Sequence, residues 1–120
     1  MDSSCVFCRI VSGEIPSKKL YEDDEVYAFA DAYPVAPVHI LIIPKMHVET
    51  LDDVSPQMQP VLGKLMLTAS ELARQNDLAD KGYRVVMNCR SAAGQSVYHI
   101  HLHLLGGGDP MGWPPWPSNT

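Results

Sequence analysis

Three histidines stand at alternate positions in Tyr98-His99-Ile100-His101-Leu102-His103-Leu104-Leu105. Side chains of an extended chain point to opposite faces in turn. On a strand, His99, His101 and His103 therefore share one face, and Tyr98, Ile100, Leu102 and Leu104 share the other. Neighbouring imidazoles should then lie about 7 Å apart. Such a row suits two kinds of chemistry. Imidazole titrates near neutral pH and serves as nucleophile, acid or base. Neutral imidazole is also a common metal ligand, and histidines at i, i+2 can share an ion. The flanks are Gly94-Gln95-Ser96-Val97 and Gly106-Gly107-Gly108. Glycine lets the backbone approach a ligand closely, and Gln95 and Ser96 bring neutral donors.

A second constellation involves thiols. Cys5-Val6-Phe7-Cys8 has the spacing that lets two thiolates reach one ion. Two further ligands are needed, and His47 and His99 would complete a tetrahedral Cys2His2 set. Mixed thiolate and imidazole favour zinc. Buried free thiols are the alternative reading of the cysteines.

The run His99-Ile100-His101-Leu102-His103-Leu104-Leu105 resembles the motif of the histidine triad (HIT) nucleotide-binding family. Ala93 through Gly107 resembles its Hint branch. So do Pro34-x-Ala36-Pro37-x-His39, Ile43-Pro44-Lys45-x-His47 and Trp113-Pro114-Pro115. The resemblance spans about Val6 to Pro115. It implies attack on the α-phosphate of a nucleotide, with His101 as nucleophile and a nucleotidyl-histidine intermediate. Nε2 of His101 would attack while an acceptor holds Nδ1–H. His103 would donate to the phosphate oxygens or protonate the leaving group, and Gln95, Ser96 and nearby amides would stabilise developing charge. The resemblance further implies a nucleotide site. Asp31 takes the ribose, Val6, Phe7, Ile10 and Phe29 line the base pocket, and Asn88 and Gly94 lie with the phosphate-side groups. Ordinary core is the alternative for the four apolar residues. Ala30 stands where the family commonly has a polar residue. Several prokaryotic HIT proteins bind zinc at positions matching Cys5, Cys8, His47 and His99, so structural Zn2+ is expected. His39, inside an apolar run, reads as a satisfied structural histidine.

The bulk properties bound these readings. One domain fits 120 residues; it is expected to span 1–120, with its core at about 5–105 and a tail from 106. A hydrophobic content of 46% is ordinary for a globular chain. No apolar run approaches the length of a membrane span, and Met1-Asp2-Ser3-Ser4 does not open a secretory signal. A formal charge of −5 disfavours binding to nucleic acid or a membrane surface. Three cysteines, an odd number, point to a reducing compartment. A cytoplasmic location is expected, or a nuclear one in a eukaryote.

The elements that position these groups can be read in order. A short helix is predicted over Cys5–Ser12, with Gly13 closing it. Strands are predicted at Lys18–Glu22 and Val26–Ala30, joined by an acidic turn. Asp31 to Pro37 is a proline-fixed loop, and Val38–Ile43 a buried strand ended by Pro44. Ser55 and Pro56 should open a helix reaching about Gln75. Its apolar positions are Met58, Val61, Leu62, Leu65, Met66, Ala69, Leu72 and Ala73. Two more strands are predicted at Tyr83–Asn88 and Val97–Leu105. The pattern is an α+β, HIT-like fold: a mostly antiparallel five-stranded sheet with one long and one short helix.

The function expected is a purine nucleoside phosphoramidase or nucleotide hydrolase acting on a purine mononucleotide or its phosphoramidate. A dinucleoside polyphosphate hydrolase of the Fhit type and a nucleotide-binding scaffold are the alternatives. Trp113 and Trp116, in a proline-rich tail, should cover something. The Hint resemblance implies a two-fold homodimer with Trp113 near the partner's cleft.

Overall fold

The computed structural model describes residues 4–108; the tail with Trp113 and Trp116 lies outside them. Helix α1 is Val6–Val11, followed by strands β1 (Lys19–Glu22), β2 (Val26–Ala30) and β3 (Val38–Pro44). Two single 3₁₀ turns, Leu51–Asp53 and Pro56–Met58, lead into helix α2 (Gln59–Gln75). Strand β4 (Arg84–Val86), a 3₁₀ turn at Ser91–Ala93 and strand β5 (Leu102–Gly106) complete the described chain. The strands form one sheet in the order β1-β2-β3-β5-β4, every neighbouring pair antiparallel. This is the expected α+β architecture. No described helix is long and apolar enough to cross a membrane.

Alternation along β3 divides the interior in two. Ile40 and Ile42 point to α2 and join Val61, Leu65, Ala69, Leu72, Ile100, Leu102 and Leu104 in the larger core. Leu41 and Ile43 point the other way, to a smaller cluster with Cys5, Phe7, Cys8, Ile10, Tyr27 and Phe29. The register sets Leu41 opposite His103 and His39 opposite Leu105. His39 and His103 thus share the α1 face, one diagonal step apart. At the β1–β2 turn, Oδ1 of Asp23 accepts the Glu25 and Val26 N–H groups at 2.8 and 2.9 Å. Lys64 of α2 reaches Asp23 and Glu25 from above.

Four expectations change. The long helix does not begin at an Ser55 cap: Ser55 makes no side-chain cap bond, and its carbonyl accepts Met58 N–H at 2.9 Å. A proline interferes with the carbonyl four residues before it. Pro60 therefore bars an α-helical turn through Pro56, and a 3₁₀ turn stands there instead. On α2, Met66 is 53% exposed and Leu67 73%, while Thr68 is buried, so the buried stripe is narrower than the predicted one. The last strand starts at Leu102 rather than Val97. Its partner β3 reaches Pro44 and the chain then turns away. Ile100 N–H instead bonds the Val48 carbonyl at 2.8 Å. Strand β4 is likewise shorter than Tyr83–Asn88.

Candidate active site and metal centre

The chain enters α1 through Cys5, whose Sγ caps the helix by accepting Cys8 N–H at 3.3 Å. Both thiols are thereby turned toward the sheet. Sγ of Cys5 lies 3.4 Å from Nδ1 of His99, and Sγ of Cys8 lies 3.4 Å from Nδ1 of His47 and 3.6 Å from Nδ1 of His99. A tetrahedral ion bound at about 2.3 Å to sulfur and about 2.05 Å to nitrogen sets S···N edges of about 3.5 Å. All four ligand atoms lie within 4.8 Å of one another. Nε2–H of His99 donates to the Pro44 carbonyl at 2.7 Å. That bond fixes the tautomer and leaves the Nδ1 lone pair facing the thiols, the outer-shell support that a metal-binding imidazole needs. The cluster can hold one metal ion.

The imidazole row continues beyond the strand that was expected to carry all of it. His103 alone lies in β5, yet the extended approach keeps the alternation. Ile100, Leu102 and Leu104 enter the α2-side core, while His99, His101 and His103 are buried on the other side. Tyr98 departs from this, being exposed. The rings of His101 and His103 are 5.0 Å apart, closer than a flat strand would hold them. The three imidazoles do not fall in one group of candidate metal ligands among the described residues: His99 gathers with Cys5, Cys8 and His47, and His103 with Asp31 and His39. Nδ1–H of His101 donates to the His99 carbonyl at 2.7 Å, and its Nε2 therefore bears a lone pair.

His39 decides the protonation of His103. Its Nδ1 accepts Val35 N–H at 3.1 Å, so its proton sits on Nε2. That proton faces Oδ2 of Asp31 at 3.2 Å and Nδ1 of His103 at 3.0 Å. His103 thus accepts at Nδ1 and holds its own proton on Nε2. Burial lowers the His39 pKa against the opposing pull of Asp31. Burial also pushes His103 down to about 3, helped by His101 and His39, and His99 down to about 4. His99 and His103 are therefore neutral at pH 7. Sequence reasoning gave His39 a bystander's role. The signal that could have found it is register: β3 and β5 set it diagonally across from His103.

Phe7, Ile10 and Phe29 pack together on this face. The Phe7 ring stands edge-on to His101 at 5.0 Å and to Phe29 at 5.5 Å. Val6 is 44% exposed and is not part of that cluster. Asp31 is buried, its Oδ1 accepting Tyr33 N–H at 2.9 Å. Asn88 is 7% exposed, and its side-chain amide nitrogen has no hydrogen-bond partner. A buried donor in that state is costly unless something accepts from it. Ser96 is exposed, and Gly94 takes φ +96° at the end of the 91–93 turn. Gln95 differs from its expected part. Its amide hydrogens go to the Glu49 and Val97 carbonyls at 2.7 and 3.1 Å, and its oxygen accepts Arg90 N–H at 2.7 Å. It fastens loops and has no hydrogen left to offer a phosphate.

The HIT domain profile matches residues 12–109. The chain belongs to the HIT domain family. Among HIT relatives it is 46% identical over 112 residues to the purine nucleoside phosphoramidase of Escherichia coli strain K12, covering 93% of each chain. It is 47% identical over 116 residues to the adenylylsulfatase HINT1 of Arabidopsis thaliana, covering 95% of this chain and 78% of that one. A HIT family hydrolase from Legionella pneumophila Philadelphia 1 superposes with a TM-score of 0.89 at 48% identity, over 93% of this chain and 99% of that chain. A histidine triad protein from Clostridium difficile does so with a TM-score of 0.88 at 39% identity, over 98% and 99%.

Proposed function

We propose that this HIT protein is a hydrolase that releases an amine or similar group from the α-phosphate of a purine nucleotide, a purine nucleoside phosphoramidase. The observation that carries this reading is the state of His101: Nδ1–H is held by the His99 carbonyl at 2.7 Å, which puts the nucleophilic lone pair on Nε2. The base lies against Phe7, Ile10 and Phe29, and Asp31 accepts from the ribose. Nε2 of His101 attacks phosphorus, the P–N bond breaks, and the departing nitrogen takes a proton from water. Nε2–H of His103 donates to a phosphate oxygen. Its proton stays in place, because a neutral ring that gave it up would be left as an imidazolate. Asn88 donates its amide hydrogens to the same group, with Ser96 and loop amides beside Gly94. Water then cleaves the nucleotidyl-histidine, and the mononucleotide leaves. The names of the Escherichia coli and Arabidopsis relatives support hydrolysis at a nucleotide phosphorus and favour this reading over a dinucleoside polyphosphate hydrolase.

The ion that suits the cluster is zinc. Two soft thiolates and two imidazoles form a closed tetrahedral set with no open position, so the ion's part is to fasten α1 to the sheet. Elemental analysis of protein purified without chelator should find about one zinc per chain, lost in Cys8→Ser.

The test of the reaction is steady-state turnover of an adenosine 5′-phosphoramidate against a diadenosine polyphosphate. The phosphoramidate should be preferred, and His101→Ala should lower its turnover by at least about 10³-fold while AMP still binds. A preference for the polyphosphate, or turnover retained in folded His101→Ala, overturns the reading.

A further inference from the structure

Helix α1 belongs to two sites at once. Cys5 and Cys8 flank Phe7 in the sequence. The turn that brings the two thiols to His99 and His47 is the turn that stands the Phe7 ring edge-on to His101 at 5.0 Å. Ile10, one turn further on, is buried with Phe29 in the same cluster. The helix has six residues. That is far too short to hold its shape unaided in water. Its placement depends on what its thiols and its apolar side chains are fastened to. Without an ion the thiols meet His47 and His99 through weak sulfur hydrogen bonds. With one, four ligands from three segments are tied to a single point.

We propose that the metal cluster and the base pocket are thermodynamically coupled through α1: an ion on Cys5, Cys8, His47 and His99 raises the affinity of the Phe7–Ile10–Phe29 pocket for a purine mononucleotide. This rests on the nucleotide reading above. Each ligand orders the same short helix, so whichever binds first spares the second that ordering cost. Linkage requires reciprocity. The factor by which metal tightens nucleotide binding is the factor by which nucleotide tightens metal binding.

Two titrations of the full chain test it. AMP is titrated by calorimetry into zinc-loaded and chelator-stripped protein. The zinc dissociation constant is measured by competition with a chromophoric chelator, with and without saturating AMP. Both ratios should be about tenfold and equal within error, an ordinary size for such coupling. Ratios within twofold of one overturn the proposal. So does protein that takes up no metal. The second titration begins from the loaded protein and needs no separately prepared stripped form. Phe7→Leu keeps the helix and removes the ring contact. It should bring the coupling ratio close to one, whatever it does to zinc affinity in the absence of AMP, since the ring also packs on His99; a ratio that stays tenfold overturns the route through Phe7. AMP binding to neither form overturns the nucleotide reading itself, whereas equal binding to both overturns only the coupling.

Discussion

A histidine kept neutral by burial is a source of pH sensitivity in the fold itself. His103 is held down to about 3 in the folded chain, against about 6.5 in an unfolded one. Below pH 6.5 the unfolded state therefore binds the proton that the folded state refuses. Stability from this residue is complete above about pH 6.5, and falls progressively as the pH is lowered toward 3. His39, lowered by the same burial, acts in the same direction. Urea denaturation midpoints between pH 7.5 and 4.5 should decline, and His103→Gln should flatten the decline. A midpoint that rises on acidification would contradict a neutral His103. Asp31 supports this state without competing for the role expected of it, because each carboxylate oxygen has more than one lone pair.

Loops, more than strands, are where this molecule joins its parts. Gln95 ties the turn after Asn88, the segment two residues beyond His47 and the segment two residues before His99. Gln95→Ala leaves two carbonyls and one N–H without their partner, which should cost about 1–3 kcal/mol in urea denaturation. Gln95→Glu should cost more, since a carboxylate would then face the Glu49 and Val97 carbonyls, acceptor against acceptor. A neutral result for both variants would mean the loops hold themselves. The same elements show what the sequence could and could not disclose. The apolar run of β3 and the i, i+3, i+4 spacing of α2 were legible, because a strand buried on both faces is apolar nearly throughout and a helix buried on one face repeats its apolar residues every 3.6. The Cys5–Cys8 spacing and the imidazole row were legible for the same local reason. Where β5 begins was not, since that depends on Pro44 turning the neighbouring strand away. The engagement of Gln95 was hidden too. An amide looks the same in sequence whether it faces a ligand or three backbone groups. His39 became the partner of His103, and Asp31 that of His39, only through the fold of the sheet.

The described chain leaves one face of its assembly open to water. Strand β4 has β5 on one side and no described strand on the other. Close to it in the chain, Tyr83 is 40% exposed, and α2 shows Met66 and Leu67 to solvent. A sheet edge with no described neighbour and exposed apolar side chains are each templates for association. A second copy meeting this face by a two-fold axis would cover both. We expect light scattering at micromolar concentration to give the mass of a dimer, and Leu67→Asp to shift it toward monomer. A monomeric wild-type chain would refute this. The expected homodimer drew on the Tyr83–Asn88 segment, the long helix and the tail; the tail lies outside the described residues, and β4 and α2 lie within them.

The acceptor that sets the tautomer of His101 is the carbonyl oxygen of His99, and every residue type has that atom. The imidazole of His99 can therefore be exchanged without changing which nitrogen of His101 is protonated. Two functions that share one position are in this way separable by descent: a lineage could lose its metal through His99, Cys5 or Cys8 and still inherit a correctly poised nucleophile. Saturation mutagenesis at position 99 should accordingly yield variants poor in zinc but still active, while position 101 tolerates nothing.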